Sequence, residues 1–413
     1  MRATSLLRML IGVIGTVVIG CEVENGALVV HVRPTGRRPR CSGCGRCVAT
    51  GAVATENRRW RHLDLAGIEL LLSYDLRRVS CRRCGVLVER VPWSSAPQAR
   101  FTDDFDDAVG YLAQRCDKTS IVNMLGIAWR TVGSCIERVM KRRGRANPLV
   151  GLSLIGVDEV SYRKHHHYLT LVADHVEGRI VWGKEGKDAA TLKAFFTDLG
   201  EERRQEIKVV TMDMSAAFMS AVREAMPHTQ IVFDRFHVQA LASKALDETR
   251  RDLWQELRRS DPEAAKMLKH SRWALLKAAV NRTEAEQAKL SEIQHGNLRL
   301  YRGYLLRAQL GDILDRRQPN VVEALLLGWI SWALRSRLPA FVRTAQTIRE
   351  NLDEIVAFIR WRVTNGLVEG LNNKVRLLTR RAYGFHSADA VLAMIMLCCS
   401  GIVIPPPRRS IAA

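Results

Sequence analysis

Three apolar runs in this sequence stop on an aspartate. LSLIGV (152–157) runs into Asp158, IKVVTM (207–212) into Asp213 and IVF (231–233) into Asp234. Carboxylates gathered at strand ends can hold hard cations, because Mg²⁺ takes oxygen ligands. Two such ions about 3.5–4 Å apart would activate an attacking oxygen and stabilise a leaving one in phosphoryl transfer. Such a centre needs one more acid from later in the chain, and TNGLVEGLNNKVRLLTRRAYGF (364–385) supplies Glu369. Its spacing predicts a helix capped by Thr364 and stopped at Gly384. Asn365, Glu369, Asn372, Arg376 and Arg380 fall on one face, and Leu367, Leu371, Val375 and Leu378 on another. A solvated amphipathic helix with an incidental acid would show the same pattern. Asp234 is ambiguous as well. The Asp-x-x-His of IVFDRFHV would set Asp234 and His237 beside the site; alternatively Asp234 caps a helix beginning near Arg235, with His237 packed on it.

These acids need strands to position them. Leu152–Val157, His167–Ala173, Ile180–Trp182, Ile207–Met212 and Ile231–Phe233 read as strands, with helices over Asp188–Leu199 and Ser215–Ala225. The resulting β-β-β-α-β-α-β order is ribonuclease-H-like, with acids after its first, fourth and fifth strands. The tract His165–His167 straddles a strand start, where alternate residues face opposite ways, so it does not gather three ligands on one metal.

Upstream, Cys41-x-x-Cys44 and Cys81-x-x-Cys84 form two knuckles, each able to present two thiolates to a tetrahedral structural Zn²⁺. Cys47 is spare. Cys116, Cys135, Cys398 and Cys399 lie in helical patterns and read as packed thiols. Reduced, metal-binding cysteines argue against export, although Arg2, Arg8, the apolar run 9–20 and Cys21 resemble a secretory or lipoprotein leader. Leu10–Val30 is read instead as two strands around Glu24–Gly26, and the protein as cytoplasmic and nucleoid-associated. No later run reaches the roughly 18 apolar residues of a membrane span.

The chain has 413 residues and a formal charge of +20, which favours a polyanionic partner. Between 33 and 100 there are fourteen arginines and five acids. From Phe101 the period becomes helical, with Thr102 as a cap. DKTSIVNMLGIAWRTVGSCIERVMKRR (117–143) then reads as a helix-turn-helix bent at Gly126. Its second helix should turn Trp129, Arg130, Ser134 and Arg138 outward, with Lys141, Arg142 and Arg143 at its end, as a recognition helix does. A plain helical hairpin would share the pattern. After Asp234 the sequence is rich in Leu, Ala, Glu, Arg and Lys at helical spacing, with turns at Asp261-Pro262 and Gln318-Pro319. Trp254, Trp273, Trp329, Trp332 and Trp361 within it read as core or interface.

IGVDEVSY, VVTMDMSAAF, DRFHV and TNGLVEGLNNKVRLLTRRAYGF, in this order behind a zinc ribbon and a helix-turn-helix, resemble the DDE transposases of bacterial insertion sequences. The nearest group is the one usually called ISL-three, and the resemblance covers about residues 10–400. It implies Asp158, Asp213 and Glu369 as catalytic acids holding Mg²⁺ or Mn²⁺, with Asp234 and His237 as accessories. It also implies binding of double-stranded DNA through Arg130, Ser134, Arg138, Lys141, Arg376 and Arg380, and a dimer or higher assembly on two element ends. The implied layout is N-terminal strands and ribbon (1–95), helix-turn-helix (100–148), a ribonuclease-H-like α/β catalytic domain (150–240 and 356–400), an all-helical insertion (241–355) and a tail (401–413). The expected reaction is hydrolysis at the ends of an element and joining of the freed 3′-hydroxyls to target DNA. A sequence-specific regulator and a nuclease without strand transfer remain as alternatives.

Overall fold

The structure is a computed structural model. It describes residues 3–36, 38–48, 53–96, 98–163, 167–363, 366–382, 385 and 387–407. His165, His166, Thr364, Asn365, Gly384 and the last residues, 408–413, lie outside the described residues. The chain forms two compact units. One takes in 1–148, 162–164 and 374–413, and the other 149–161 and 165–373. Among the described residues no helix is long and apolar enough to cross a membrane.

In the first unit, the N-terminal apolar segment is not one strand pair from Leu10. Ala3–Ile11 is a helix, and the hairpin is β1 (Thr16–Glu24) and β2 (Ala27–Pro34). Asn25 and Gly26 both take positive φ, 51° and 80°, which is the backbone a two-residue hairpin turn requires. β3 (Val53–Arg61), β4 (Leu70–Cys81) and β5 (Gly85–Val88) complete a sheet ordered β1-β2-β4-β3, with β5 on β4. β4 runs unbroken across Asp75 and Leu76 into the second cysteine knuckle. Ile11, Val30, Val32, Leu70, Leu72 and the edge-to-face pair Trp60 and Trp93 fill the core beneath the sheet.

The helices that follow carry their own start and stop signals. Thr102 accepts from the Phe105 N–H at 3.2 Å to open Asp103–Ala113. Asp117 accepts from the Ser120 N–H at 2.9 Å to open Lys118–Leu125, which closes on Gly126 in the left-handed conformation. Trp129–Arg143 is the third helix. Their core of Phe105, Val109, Ile121, Val132 and Ile136 also receives Leu397, from the helix Ala388–Cys399, and Ile404 beyond it. Gln114 Nε2 fastens this strand of chain by donating to the carbonyls of Leu397 and Ile402, at 2.9 and 3.0 Å.

The second unit is built on β6 (Leu154–Arg163), β7 (His167–Asp174), β8 (Arg179–Glu185), β9 (Val209–Met212) and β10 (Gln230–Phe233), ordered β10-β9-β6-β7-β8. β7 and β8 are an antiparallel hairpin, while β9 runs parallel to both β6 and β10. Counted within this sheet the order is 3-2-1-4-5, which is the ribonuclease-H-like arrangement. Ala189–Leu199, capped by Asp188, and Ala216–Ala225 are the connecting helices. A 26-residue helix, Arg235–Ser260, leaves β10 directly. It is followed by helices that restart at Pro262 and Pro319 and end with Leu352–Trp361. Sheet and helices share one continuous core, from Leu152 and Ile155 through Leu246, Leu310 and Trp329 to Ile355. Trp329 is buried and donates to the Leu306 carbonyl, but Trp273 is 55% exposed and Trp361 is exposed as well.

Candidate active site

The strand carrying Asp158 does not stop there. β6 runs on to Arg163, so Asp158 is a mid-strand residue. What stops is its parallel partner. β9 pairs with β6 only through Gly156↔Thr211 and then leaves the sheet at Met212. Two residues further along each chain, Asp158 and Asp213 fall in the same row, just past the last paired rung. On the other side of β9 the pairing reaches Phe233↔Met212, so Asp234 is the next residue in that row. The register of the parallel strands sets the three aspartates at one level of the sheet, and Asp213 lies close enough to Asp158 to act on its carboxyl; nothing local to any of them would do this.

Asp158 is held on both oxygens. Oδ1 accepts the Glu159 N–H at 2.7 Å, and Oδ2 accepts Asn372 Nδ2. Burial pushes its carboxyl above the usual carboxylate range. The Glu159 N–H, His237 and Asn372 oppose that, and the charge of Asp213 adds to it. Burial and then Asp213 likewise raise Glu159, against Lys187. A site that crowds three carboxyls until two of them resist ionisation, with oxygen donors throughout, fits a hard divalent cation. Among the described residues, however, the only group of three or more such ligands within 4.8 Å of one another is the cysteine cluster. Asp158 and Asp213 are close enough to act on each other's charge, but Asp158, Asp213 and Glu369 do not form one tight ligand set.

Glu369 arrives on the helix Gly366–Arg381. Its buried stripe is Val368, Asn372, Val375 and Leu378, so Asn372 lies on the inner face and not on the polar one that the spacing suggested. Gly156 makes this approach feasible. A Cβ there would stand 2.6 Å from Val368 Cγ2, 2.8 Å from His175 Nε2 and 3.0 Å from Thr211 Oγ1. Val368 over Gly156 and Asn372 over Asp158 match one helical turn to two strand residues. Glu369, one turn before Asn372, is exposed at the edge of this contact. His175 Nε2 and Thr211 Oγ1 are 2.7 Å apart beneath it, and burial holds His175 below the usual imidazole range, against Asp174.

Asp234 is the N-cap of the long helix. It is buried, and its Oδ1 accepts the Phe236 N–H at 3.1 Å. His237 is exposed on the first turn and reaches Asp158 electrostatically.

In the first unit, the Sγ atoms of Cys41, Cys44, Cys81 and Cys84 all lie within 4.8 Å of one another, and those of Cys44 and Cys81 are 3.6 Å apart. Tetrahedral Zn–S bonds of about 2.3 Å imply S···S separations of roughly 3.8 Å, so the cluster has the geometry of a zinc site. The N–H groups of Arg83 and Cys84 lower the Cys81 thiol to about 6, while burial pushes Cys84 up to about 12. Cys47 stands outside the cluster and is exposed.

A family model described as transposase, of the DDE ISL3 type, matches residues 155–395. The chain belongs to the ISL3 family of DDE transposases. A second model, described as the zinc-finger of transposase IS204/IS1001/IS1096/IS1165, matches 37–84. The transposase for insertion sequence element IS1557 of Mycobacterium tuberculosis is 39% identical over 430 residues, covering 97% of this chain and 96% of that one. The transposase for IS1001 of Bordetella parapertussis is 29% identical over 371 residues, covering 89% and 90%.

The transposase's recognition-helix candidates divide. Trp129, Arg130, Ser134 and Lys141 are exposed. Arg138 does not point outward. Its Nε and Nη2 each sit 2.7 Å from a carboxylate oxygen of buried Asp106, so the pair joins two helices. Arg142 and Arg143 are likewise taken up by Asp103 and Asp107. Arg376 and Arg380 are exposed on the Glu369 helix. Sequence reasoning missed Glu159, His175, Thr211 and the inward turn of Asn372. Only the adjacent Asp-Glu and the Glu-x-x-Asn spacing hinted at two of them.

Proposed function

We propose that this transposase binds the terminal inverted repeats of its element, cleaves there by metal-dependent hydrolysis and joins the 3′-hydroxyls to target DNA. The register row that aligns Asp158 with Asp213, with the Glu369 helix tied to Asp158 through Asn372, carries this reading. Asp158, Asp213 and Glu369 would hold Mg²⁺ or Mn²⁺. Bound there, the divalent ions supply Lewis acidity to the attacking and leaving oxygens. The chain's own part is to fix Asp158 by two hydrogen bonds and to keep the site partly withdrawn from water. His237 faces the same carboxylate, and with Asp234 it is assigned an accessory role. Arg130, Ser134 and Lys141 are assigned to reading DNA, Arg376 and Arg380 to its backbone, and the four cysteines to structural Zn²⁺. Two ends must be handled together, which calls for a dimer or larger assembly.

Purified protein incubated with a duplex carrying the element's end, with Mg²⁺ or Mn²⁺, tests this. Asp158→Ala, Asp213→Ala and Glu369→Ala should each abolish cleavage and keep end binding. Cleavage at the wild-type rate in any of them removes that residue from the site. Cleavage without joining in the wild type would favour a nuclease.

A further inference from the structure

Beside the acid row lies a basic recess that no step above uses. Arg235, Arg316, Arg317 and Arg362, with Phe358, line a volume of about 340 Å³. Among the described residues Asp315 is the only acid in its lining, and Arg235 already holds it. Arg316, Arg317 and Arg362 are exposed and have no acidic partner among the described residues. Unpaired guanidinia converging on one concavity repel each other, and an anion in their midst removes that cost. Guanidinium is also the side chain best shaped to grip phosphate oxygens.

The recess has a definite place relative to the chemistry. Arg235 follows Asp234 directly and precedes His237, which reaches Asp158 electrostatically. The recess therefore opens at the residue that directly follows the acid row in the chain, with Arg235 already on Asp315 and the three other guanidinia left to an anion. Arg362 adds a second kind of observation. It ends the helix Leu352–Trp361 with φ at 50°, a left-handed conformation that glycine would occupy without strain. Arg362→Gly therefore removes the head group without straining the backbone.

We propose that this recess seats a backbone phosphate of the DNA strand running to or from the cleavage site. It is a phosphodiester site distinct from the helix-turn-helix, and the proposal rests on the transposase reading above. The test is salt-dependent binding of an end-bearing duplex, together with cleavage, for full-length wild type, Arg316→Ala/Arg317→Ala and Arg362→Gly. Each lost phosphate contact should reduce the slope of log affinity against log salt by about one, equally for specific and unrelated duplexes. Cleavage should slow. Arg362→Gly should melt no lower than wild type, because it relieves the backbone, so a loss of DNA contact in that variant is not a folding defect. Unchanged slopes and rates in both variants, with wild type cleaving, overturn the recess and leave the transposase reading standing. A wild type that binds no duplex overturns both.

Discussion

Asn372 is the residue whose role the structure changes most. Read from spacing, it is one more polar residue beside Glu369. In the fold it is 4% exposed and its amide donates to Asp158 Oδ2. Groups that orient a metal-holding carboxylate commonly contribute tenfold to a hundredfold in metal affinity or activity. Asn372→Ala should therefore lower end cleavage about 10–100-fold and raise the Mg²⁺ concentration for half-maximal rate, with end binding unchanged. A cleavage titration with Mg²⁺ at fixed DNA checks it; an unaltered metal requirement would mean that Asn372 only packs. Asp234 illustrates the opposite outcome. Of the two readings its sequence context allowed, the cap is the one seen as a hydrogen bond, and an accessory part in catalysis needs its own mutant.

At the scale of elements, two contacts decide whether function is possible. The Glu369 helix sits against β6 only because position 156 has no side chain. Gly156→Ala would put a methyl group into Val368, His175 and Thr211, so the helix must move away. Overpacking of this kind costs about 1–3 kcal/mol. A urea midpoint should fall accordingly, and cleavage should drop more than tenfold while end binding persists; wild-type cleavage would show that the helix need not lie so close. In the helix-turn-helix, Arg138 and Arg130 should separate cleanly. Arg138→Ala strands Asp106, buried at 1% exposure, and should cost about 3–5 kcal/mol of stability, seen as a lower melting temperature. Arg130→Ala should leave the melt alone and weaken sequence-specific binding. If instead Arg138→Ala melts like wild type, the pair with Asp106 is not structural. Capping and turn chemistry made the element boundaries readable: Thr102, Asp117, Gly126, Asp188 and Asp261 each begin or end a helix as their residue types suggest. Long-range partners were not readable. Arg138 looks like any outward arginine until Asp106, from another helix, is placed beside it.

At the scale of the whole molecule, the zinc ribbon stands out as a segment with little core of its own. Among the described residues, the buried cluster around the four cysteines is only Cys41, Val79 and Cys81, with Cys44, Val48, Cys84 and Leu87 partly buried against it. A zinc ion held by the four thiolates would supply folding free energy that so small a core lacks, as in small metal-stabilised domains. Cys81→Ser should lose zinc and end binding together; stoichiometric zinc retained on elemental analysis would remove Cys81 from the ligand set.

The sequence by itself determined the local chemistry of this protein. Cysteine knuckles, caps, apolar runs ending in aspartate and a charge of +20 are all short-range or compositional, and each carries its physical meaning without a partner. Only tertiary structure decided which of these residues meet. The alignment of Asp158 with Asp213 depends on the register between two parallel strands, and the inward face of Asn372 on a glycine more than two hundred residues earlier in the chain. The choice between pairing Arg138 and exposing it depends on a neighbouring helix. Register and packing are set by contacts between residues far apart in sequence, and no local pattern encodes them.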